Sequence, residues 1–94
     1  MAQMNADPQK VEELIKKLTS FTNETVDKQK QLKGYINNLS NSWNDGHYNV
    51  LLQQYQDFEK KIMNALQEAQ TLMIPNLKNV KKVAEDYKNL GRKS

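Results

Sequence analysis

The sequence contains no cysteine, only three glycines and two prolines, and a single histidine. Without cysteine the chain can form neither disulfide bonds nor thiolate metal sites. One histidine, His47, leaves no pair of helix-spaced metal ligands, and no Gly-rich loop for phosphate groups is present. We therefore expect no catalytic residues, no metal site and no cofactor, and we expect that the protein is not an enzyme.

Long hydrophobic runs are also absent. No apolar stretch approaches the ~20 residues that a membrane-spanning helix needs, and Met1 to Asp7 contain no basic segment followed by an apolar run. The sequence therefore predicts neither a membrane span nor a cleavable signal peptide. The net charge is +3, but Arg92 is the only arginine. Because arginine makes the bidentate contacts to phosphate and guanine, we do not expect nucleic-acid binding.

The chain has 94 residues, of which 37% are apolar. This length corresponds to one small domain, and such a low apolar fraction buries too little surface to form a self-sufficient core. We therefore expect a partner to complete the fold.

The first half of the chain has the pattern of one long amphipathic helix, predicted over residues 8–42. Asp7 is a suitable N-cap, and Pro8 fits the first helical position because its missing N–H is not needed there. The interval from Thr22 to Gln31 has few apolar residues, which predicts looser packing. On either side of it, apolar residues recur with three-four spacing at Val11, Leu14, Leu18, Phe21, Leu32, Tyr35 or Ile36, and Leu39.

The second half has a broader apolar pattern from Tyr48 to Met73, which predicts a helix over residues 47–74. Pro75 lacks an N–H and presses on the carbonyl of Thr71, so we expect a kink or a third helix there. An apolar stripe resumes over residues 76–90 and stops at Gly91. If this segment continues straight, its last ~10 residues would extend beyond the first helix.

A turn over residues 43–46 separates the two patterns and contains the only tryptophan. Asn44, Asp45 and Gly46 tolerate left-handed and capping conformations, and Asp45 is the expected N-cap of the second helix. Trp43 can fold back across the closed end of the hairpin, where Leu39 and Leu51 or Leu52 would meet it.

These patterns predict an all-α fold: a helical hairpin that dimerises into an antiparallel four-helix bundle. Each helix has more apolar surface than one neighbour can cover, and a second hairpin would cover the rest. The residues predicted to form the interface are Leu14, Leu18, Leu32, Ile36, Leu39, Leu51, Tyr55, Phe58, Ile62 and Leu72.

The segment Trp43-Asn44-Asp45-Gly46-His47-Tyr48, between two long helices in a chain of this length, resembles the WXG family. These are the early-secreted-antigen-like small proteins of type VII secretion systems, and the resemblance covers nearly the whole chain. The family has Gly two residues after Trp, whereas this sequence has Asp45 there and Gly46 one place later. The resemblance implies a secreted, non-enzymatic protein that forms a homodimer or heterodimer, with a secretion ATPase or a toxin as further partners.

The carboxyl-terminal segment departs from the family pattern. The family's export signal is a Tyr followed four residues later by Asp or Glu, but Tyr87 is followed by Gly91. Val83, Tyr87 and Leu90 therefore serve either tail packing or a degenerate signal. The alternative function is an intracellular, cytoplasmic helical adaptor, such as a secretion chaperone or toxin-neutralising partner, that is not exported.

Overall fold

The computed structural model describes residues 6–93, and this part of the chain is helical with no β-strand. It consists of α1 (Pro8–Leu39), α2 (Gly46–Glu68), a π-helical turn (Ala69–Met73) and α3 (Ile74–Lys93). The prediction of an all-α helical hairpin is confirmed. Residues 1–5, on which most of the signal-peptide prediction depends, lie outside the described residues.

Both ends of α1 follow from local hydrogen bonds. The Asp7 side chain accepts a hydrogen bond of 3.0 Å from the backbone N–H of Gln9, so Asp7 is the N-cap that the sequence predicts. The helix ends at Leu39 rather than at residue 42. There the N–H groups of Ser40, Asn41 and Ser42 donate to the carbonyls three residues earlier at 3.2, 3.1 and 3.1 Å, and the hydroxyl of Ser40 donates to the carbonyl of Asn37 at 2.7 Å. These bonds close a tight turn in place of another helical turn.

The second arm of the hairpin, defined here as α2, the π-helical turn and α3, runs from Gly46 to Lys93 without a break. A helix of this length spans about 72 Å. The molecule is 73 Å long, so the chain does not fold back at Pro75. The π-helical turn lies directly before Pro75, and the N–H of Ile74 there donates to the carbonyl of Ala69. A wider turn at this point accommodates the proline ring, which would otherwise press on a carbonyl one turn earlier.

The two arms meet along a seam of residues spaced by seven. On α1 the buried members of this seam are Pro8, Ile15, Thr22 and Ile36. On the second arm they are Tyr48, Tyr55, Ala69 and Ala84, and Leu66, three residues before Ala69, is buried as well. A seven-residue repeat keeps two α-helices in contact over a long distance.

The π-helical turn adds one residue to the repeat of the second arm. Tyr48, Tyr55 and Ala69 share one seven-residue phase, whereas Leu77 and Ala84 follow it with a shift of one position. A single inserted residue is what a π-bulge accommodates within an α-helix. The turn therefore keeps the seam of α3 directed at α1.

The prediction of loose packing from Thr22 onward is wrong at Thr22 itself. Only 1% of this residue is exposed. Its hydroxyl donates to the carbonyl of Thr19 at 2.8 Å, so the polar group is satisfied within its own helix. A small side chain with a satisfied hydroxyl can therefore be buried in the seam in place of an apolar one.

Candidate functional site

The turn between the arms is organised around one carboxylate oxygen. Oδ1 of Asp45 accepts hydrogen bonds from Trp43 Nε1 at 2.9 Å, from the N–H of His47 at 2.9 Å and from the N–H of Tyr48 at 3.2 Å. Asp45 is therefore the N-cap of α2, as predicted. The same oxygen that begins the second helix also holds the indole ring.

The Trp43 ring folds back over the closed end of the hairpin, as predicted, but Leu39 is 40% exposed and does not join the cluster there. It packs edge-on against Tyr48, with ring centroids 5.7 Å apart. Trp43, Leu51 and Leu52 pack against a buried cluster of Ile36, Tyr48 and Tyr55.

Two tyrosines join this cluster to the backbone of α1. The Tyr48 hydroxyl donates to the Ile36 carbonyl at 2.8 Å, and the Tyr55 hydroxyl donates to the Gln29 carbonyl at 3.1 Å. Each ring therefore contributes buried apolar area and a bond between the arms.

The turn uses a capping conformation and not a left-handed one. No residue in the described part of the chain has a positive φ, and Asp45 has an extended backbone with φ −140° and ψ −173°. Gly46 is already the first residue of α2, and a Cβ added there would meet nothing within 4 Å. Asp in place of the family's Gly thus creates no backbone strain and adds the hydrogen bonds described above.

The remaining candidates for a catalytic or metal-binding role do not form a site in the described part of the chain. His47 Nδ1 lies 3.7 Å from Asp45 Oδ1, beyond hydrogen-bond distance, and the imidazole side chain is 90% exposed. Among residues 6–93 no three His, Cys, Asp or Glu side chains are grouped to hold a metal ion. The helices described here also include none that is long and apolar enough to cross a membrane.

The structure divides the predicted interface residues into three groups. Ile36 and Tyr55 are buried within the hairpin, so they belong to its own core and are not available to a partner. Leu18, Leu51 and Ile62 are half-buried. The exposed members are Leu14, Leu32, Leu39, Phe58 and Leu72.

These exposed residues, with several others, line one side of the hairpin. On α1, Leu14, Phe21 and Tyr35 each precede a buried seam residue by one position. On the second arm, exposed residues such as Phe58 and Leu72 each follow a seam residue by three. In an antiparallel helix pair these two positions flank the seam on the same side. We call this side the apolar face: Leu14, Leu18, Phe21, Leu32, Tyr35, Leu39, Leu51, Phe58, Leu72, Val80, Val83, Tyr87 and Leu90.

Phe21 and Tyr35 also lie on the apolar face, although the helical pattern alone did not place them in the predicted interface. They are 61% and 72% exposed, among the most exposed large side chains described. Phe21 lies seven residues after Leu14, and Tyr35 lies seven residues after Lys28. This seven-residue spacing is the signal that places all four residues on one side of α1. A three-four pattern alone does not distinguish the seam from its apolar flank.

The opposite side of the hairpin has an ion-pair network, although Met63 is exposed there as well. Lys81 Nζ lies 2.9 Å from Glu12 Oε2 across the seam and 3.6 Å from Glu85 Oε1 on its own helix. The hydrogen bond from Lys81 holds the pKa of the Glu12 carboxyl below its usual value. The same hydrogen bond raises the pKa of Lys81. The two sides therefore differ in chemistry, one apolar and the other with ion pairs.

The carboxyl-terminal part of the apolar face becomes more exposed toward the end of the chain. Val83 is 39% exposed, Tyr87 48% and Leu90 67%. This gradient fits a segment that extends beyond the start of α1, and α3 continues past the predicted end at Leu90 to Lys93. In this structure the segment is helical within a single chain, with its apolar side uncovered.

No protein-family model, curated protein or solved structure matches this chain. The resemblance to the WXG family therefore depends on the hairpin and on the residues of its turn.

Proposed function

We propose that this protein is a non-enzymatic WXG-like protein, secreted by or associated with a type VII secretion system, that acts through helix-mediated dimerisation. The observation that carries the proposal is the apolar face, which runs along one side of a hairpin whose other side has ion pairs and an isolated exposed Met63. Exposed apolar patches of this extent mark interaction sites on soluble proteins.

The energetics favour a covered face. Phe21 is 61% exposed, Phe58 50% and Leu72 65%. Fully burying one such side chain stabilises a structure by roughly 1.5–3 kcal/mol. A second hairpin laid on this face would form a four-helix bundle and cover both arms.

The turn supports the choice of family. Trp43 follows a long helix and caps the closed end of the hairpin through Tyr48, and an aromatic residue follows the Trp by five positions, as at the family's second helix. The Asp in the family's Gly position is explained by its three hydrogen bonds.

The dimer is tested by sedimentation at micromolar concentration with a pair of matched variants. We expect the wild-type chain to be a dimer and the double variant Phe58→Glu with Leu72→Glu to be a monomer, since charges on the apolar face cannot be buried without partners. Met63→Glu is the control, because Met63 is 48% exposed but lies beside Lys33 and Glu59, away from this face. A monomeric wild-type protein would contradict the proposal.

Export is tested in a host with an active type VII system and in the same host without the secretion ATPase. We expect the protein in the medium of the first host only. Retention in the cells of both hosts would instead favour the second candidate, a cytoplasmic helical adaptor or chaperone. The absence of an acidic residue four positions after Tyr87 favours that candidate.

A further inference from the structure

Asp45 and Gly46 form the only Asp-Gly pair in the chain, which contains no Asn-Gly pair. An aspartate followed by glycine can rearrange without an enzyme, because the backbone nitrogen of the glycine can attack Cγ of the aspartate and no Cβ hinders its approach. A nitrogen–carbon bond forms, and the hydroxyl of the protonated carboxyl leaves as water with the proton of the nitrogen. Water then opens the resulting cyclic imide at either carbonyl. The products are aspartate and isoaspartate, in which the main chain runs through the side-chain carbon.

The structure leaves both reacting groups of this pair available. Gly46 is the first residue of α2, so its N–H has no partner within the helix. By contrast, Asp27, Asp57 and Asp86 lie within helices, where the N–H of the following residue donates to a carbonyl one turn earlier. The nitrogen that would attack is therefore free of the helical hydrogen-bond pattern only at the turn.

Water can also reach the turn to complete the reaction. The Asp45 side chain is 56% exposed. A Cβ built on Gly46 would meet nothing within 4 Å, so open space surrounds the position where the imide would form. Neither the packing nor the solvent access at this point prevents the rearrangement.

The hydrogen bonds of the cap oppose it. Oδ1 of Asp45 accepts from Trp43 Nε1 at 2.9 Å and from the N–H groups of His47 and Tyr48 at 2.9 and 3.2 Å. These bonds direct the carboxyl toward the amides that follow Gly46. Closing the ring onto the Gly46 nitrogen would draw Cγ away from these donors, so the bonds must break first. The indole donor is the one that a helix N-cap does not ordinarily include.

We propose that Asp45-Gly46 is a site of spontaneous isomerisation to isoaspartate, and that the indole N–H of Trp43 slows the reaction by holding the Asp45 carboxyl in its capping position. The rearrangement then proceeds from the fraction of molecules in which the cap is open. Trp43 thus protects the turn chemically, in addition to packing against Tyr48.

The modification would weaken the turn end of the hairpin. Isoaspartate adds a methylene group to the main chain before Gly46 and leaves its carboxylate directly on Cα. The Asp45 side chain that accepts three hydrogen bonds is thereby lost. A converted molecule keeps its longer main chain through unfolding and refolding. We therefore expect the isoaspartate form to have a lower melting temperature than the unmodified protein, as for other lost N-caps.

The site is tested by incubating the full chain at neutral pH in oxygen-18 water, folded in one sample and unfolded in denaturant in another. Peptides are then separated by chromatography, since aspartate and isoaspartate have the same mass, and each ring opening adds one labelled oxygen. We expect isoaspartate at position 45 in both samples, formed roughly tenfold more slowly in the folded protein because the cap must open first. Equal rates in the two samples, or isoaspartate only at other positions, would overturn the proposal.

The role of the indole is tested with two matched variants of the folded protein. Trp43→Phe keeps an aromatic ring but has no N–H, and we expect isoaspartate to form about three- to tenfold faster than in wild type. Tyr48→Phe is the control, because it loses the hydrogen bond to the Ile36 carbonyl but keeps every donor to Asp45. We expect the wild-type rate in this control. The same acceleration in both variants would show that the rate follows overall stability and not the indole bond.

The attacking atom is tested with Gly46→Ala. The added Cβ hinders the approach of the nitrogen but contacts nothing else, so we expect an intact fold and almost no isoaspartate at position 45. The melting temperature of this variant is the check that the turn is preserved. Isoaspartate formed at the wild-type rate in this variant would contradict attack by the Gly46 nitrogen. All of the reacting groups belong to one chain, so these measurements are independent of the oligomeric state.

Discussion

The two ends of the hairpin differ in the size of the side chains that pack between the arms. Near the turn, Tyr48 and Tyr55 fill the seam between α1 and α2. At the far end the buried seam residues of the second arm are Ala69 and Ala84. Cα atoms of α1 and α3 approach within 8 Å at many positions, whereas those of α1 and α2 do so at few.

The difference shows how residue size sets the distance between two helices that share one repeat. The separation of packed helices depends on the side chains at their contact. Tyrosines hold the arms apart near the turn and donate their hydroxyls across the gap, whereas alanines let the backbones come close. Packing at the turn end therefore depends on large aromatic side chains, whereas close packing at the far end depends on small side chains in the seam.

The largest expected effect is at the turn end. Tyr48→Ala removes a ring that is 4% exposed, together with its hydrogen bond to the Ile36 carbonyl. We expect it to lower the free energy of unfolding by about 3–5 kcal/mol. Tyr48→Phe keeps the ring and should cost only about 1 kcal/mol. Chemical denaturation at fixed protein concentration measures both, and equal losses would mean that the ring contributes nothing.

At the far end the damaging change is an increase in size. Ala84 is 4% exposed, and Ala84→Leu inserts a large side chain between closely spaced backbones. We expect a loss of about 1–3 kcal/mol in the free energy of unfolding. Ala84→Ser, which nearly preserves the volume, is the control. If the leucine variant were as stable as wild type, the arms would not be closely packed at this point.

The sequence predicted the elements of this fold well because their signals are local. Asp7 and Asp45 are N-caps, and Trp43 folds back onto the helix that follows it. The close packing at Thr22 could not be predicted from the apolar pattern, because it depends on a hydroxyl that bonds within its own helix and on the residues opposite. The sequence predicted an interruption at Pro75, but it did not predict the form of the interruption, a π-helical turn that keeps the seam of α3 directed at α1.

The candidate interaction face was predicted only in part. Of the residues predicted for the interface, Phe58 and Leu72 are exposed on the apolar face, whereas Ile36 and Tyr55 are covered by the other arm. The helical periodicity of the sequence identifies the apolar side of each helix, one helix at a time. Which part of that side faces the second arm becomes known only when the arms are paired.

A smaller effect is expected from the capping carboxylate of the turn. Asp45→Ala removes the acceptor of three hydrogen bonds, including the one that holds the Trp43 indole. We expect a loss of about 0.5–2 kcal/mol in the free energy of unfolding, as for other N-caps. Asp45→Asn retains a capping oxygen and should lose less. Tryptophan fluorescence should also change in the alanine variant, and an unchanged spectrum would mean that Asp45 does not position the ring.

The smallest effect is expected at the exposed ion pair of the far end. Lys81 donates to Glu12 at 2.9 Å and lowers the pKa of that carboxyl, so the pair favours the folded state while Glu12 is ionised. This contribution is present above the pKa of an unfolded Glu, about 4.3, and is lost as the pH falls through the lower folded value. Because Lys81 has a raised pKa, the contribution is also lost when the pH rises far enough to deprotonate the lysine.

We expect Glu12→Gln to lower the melting temperature slightly at neutral pH and low salt, and not at all at acidic pH or high salt. Glu13→Gln, on the same turn of α1 but without this partner, is the control. A difference between Glu12→Gln and wild type that persisted at acidic pH would show that packing of the Glu12 side chain, not its charge, joins the two arms here.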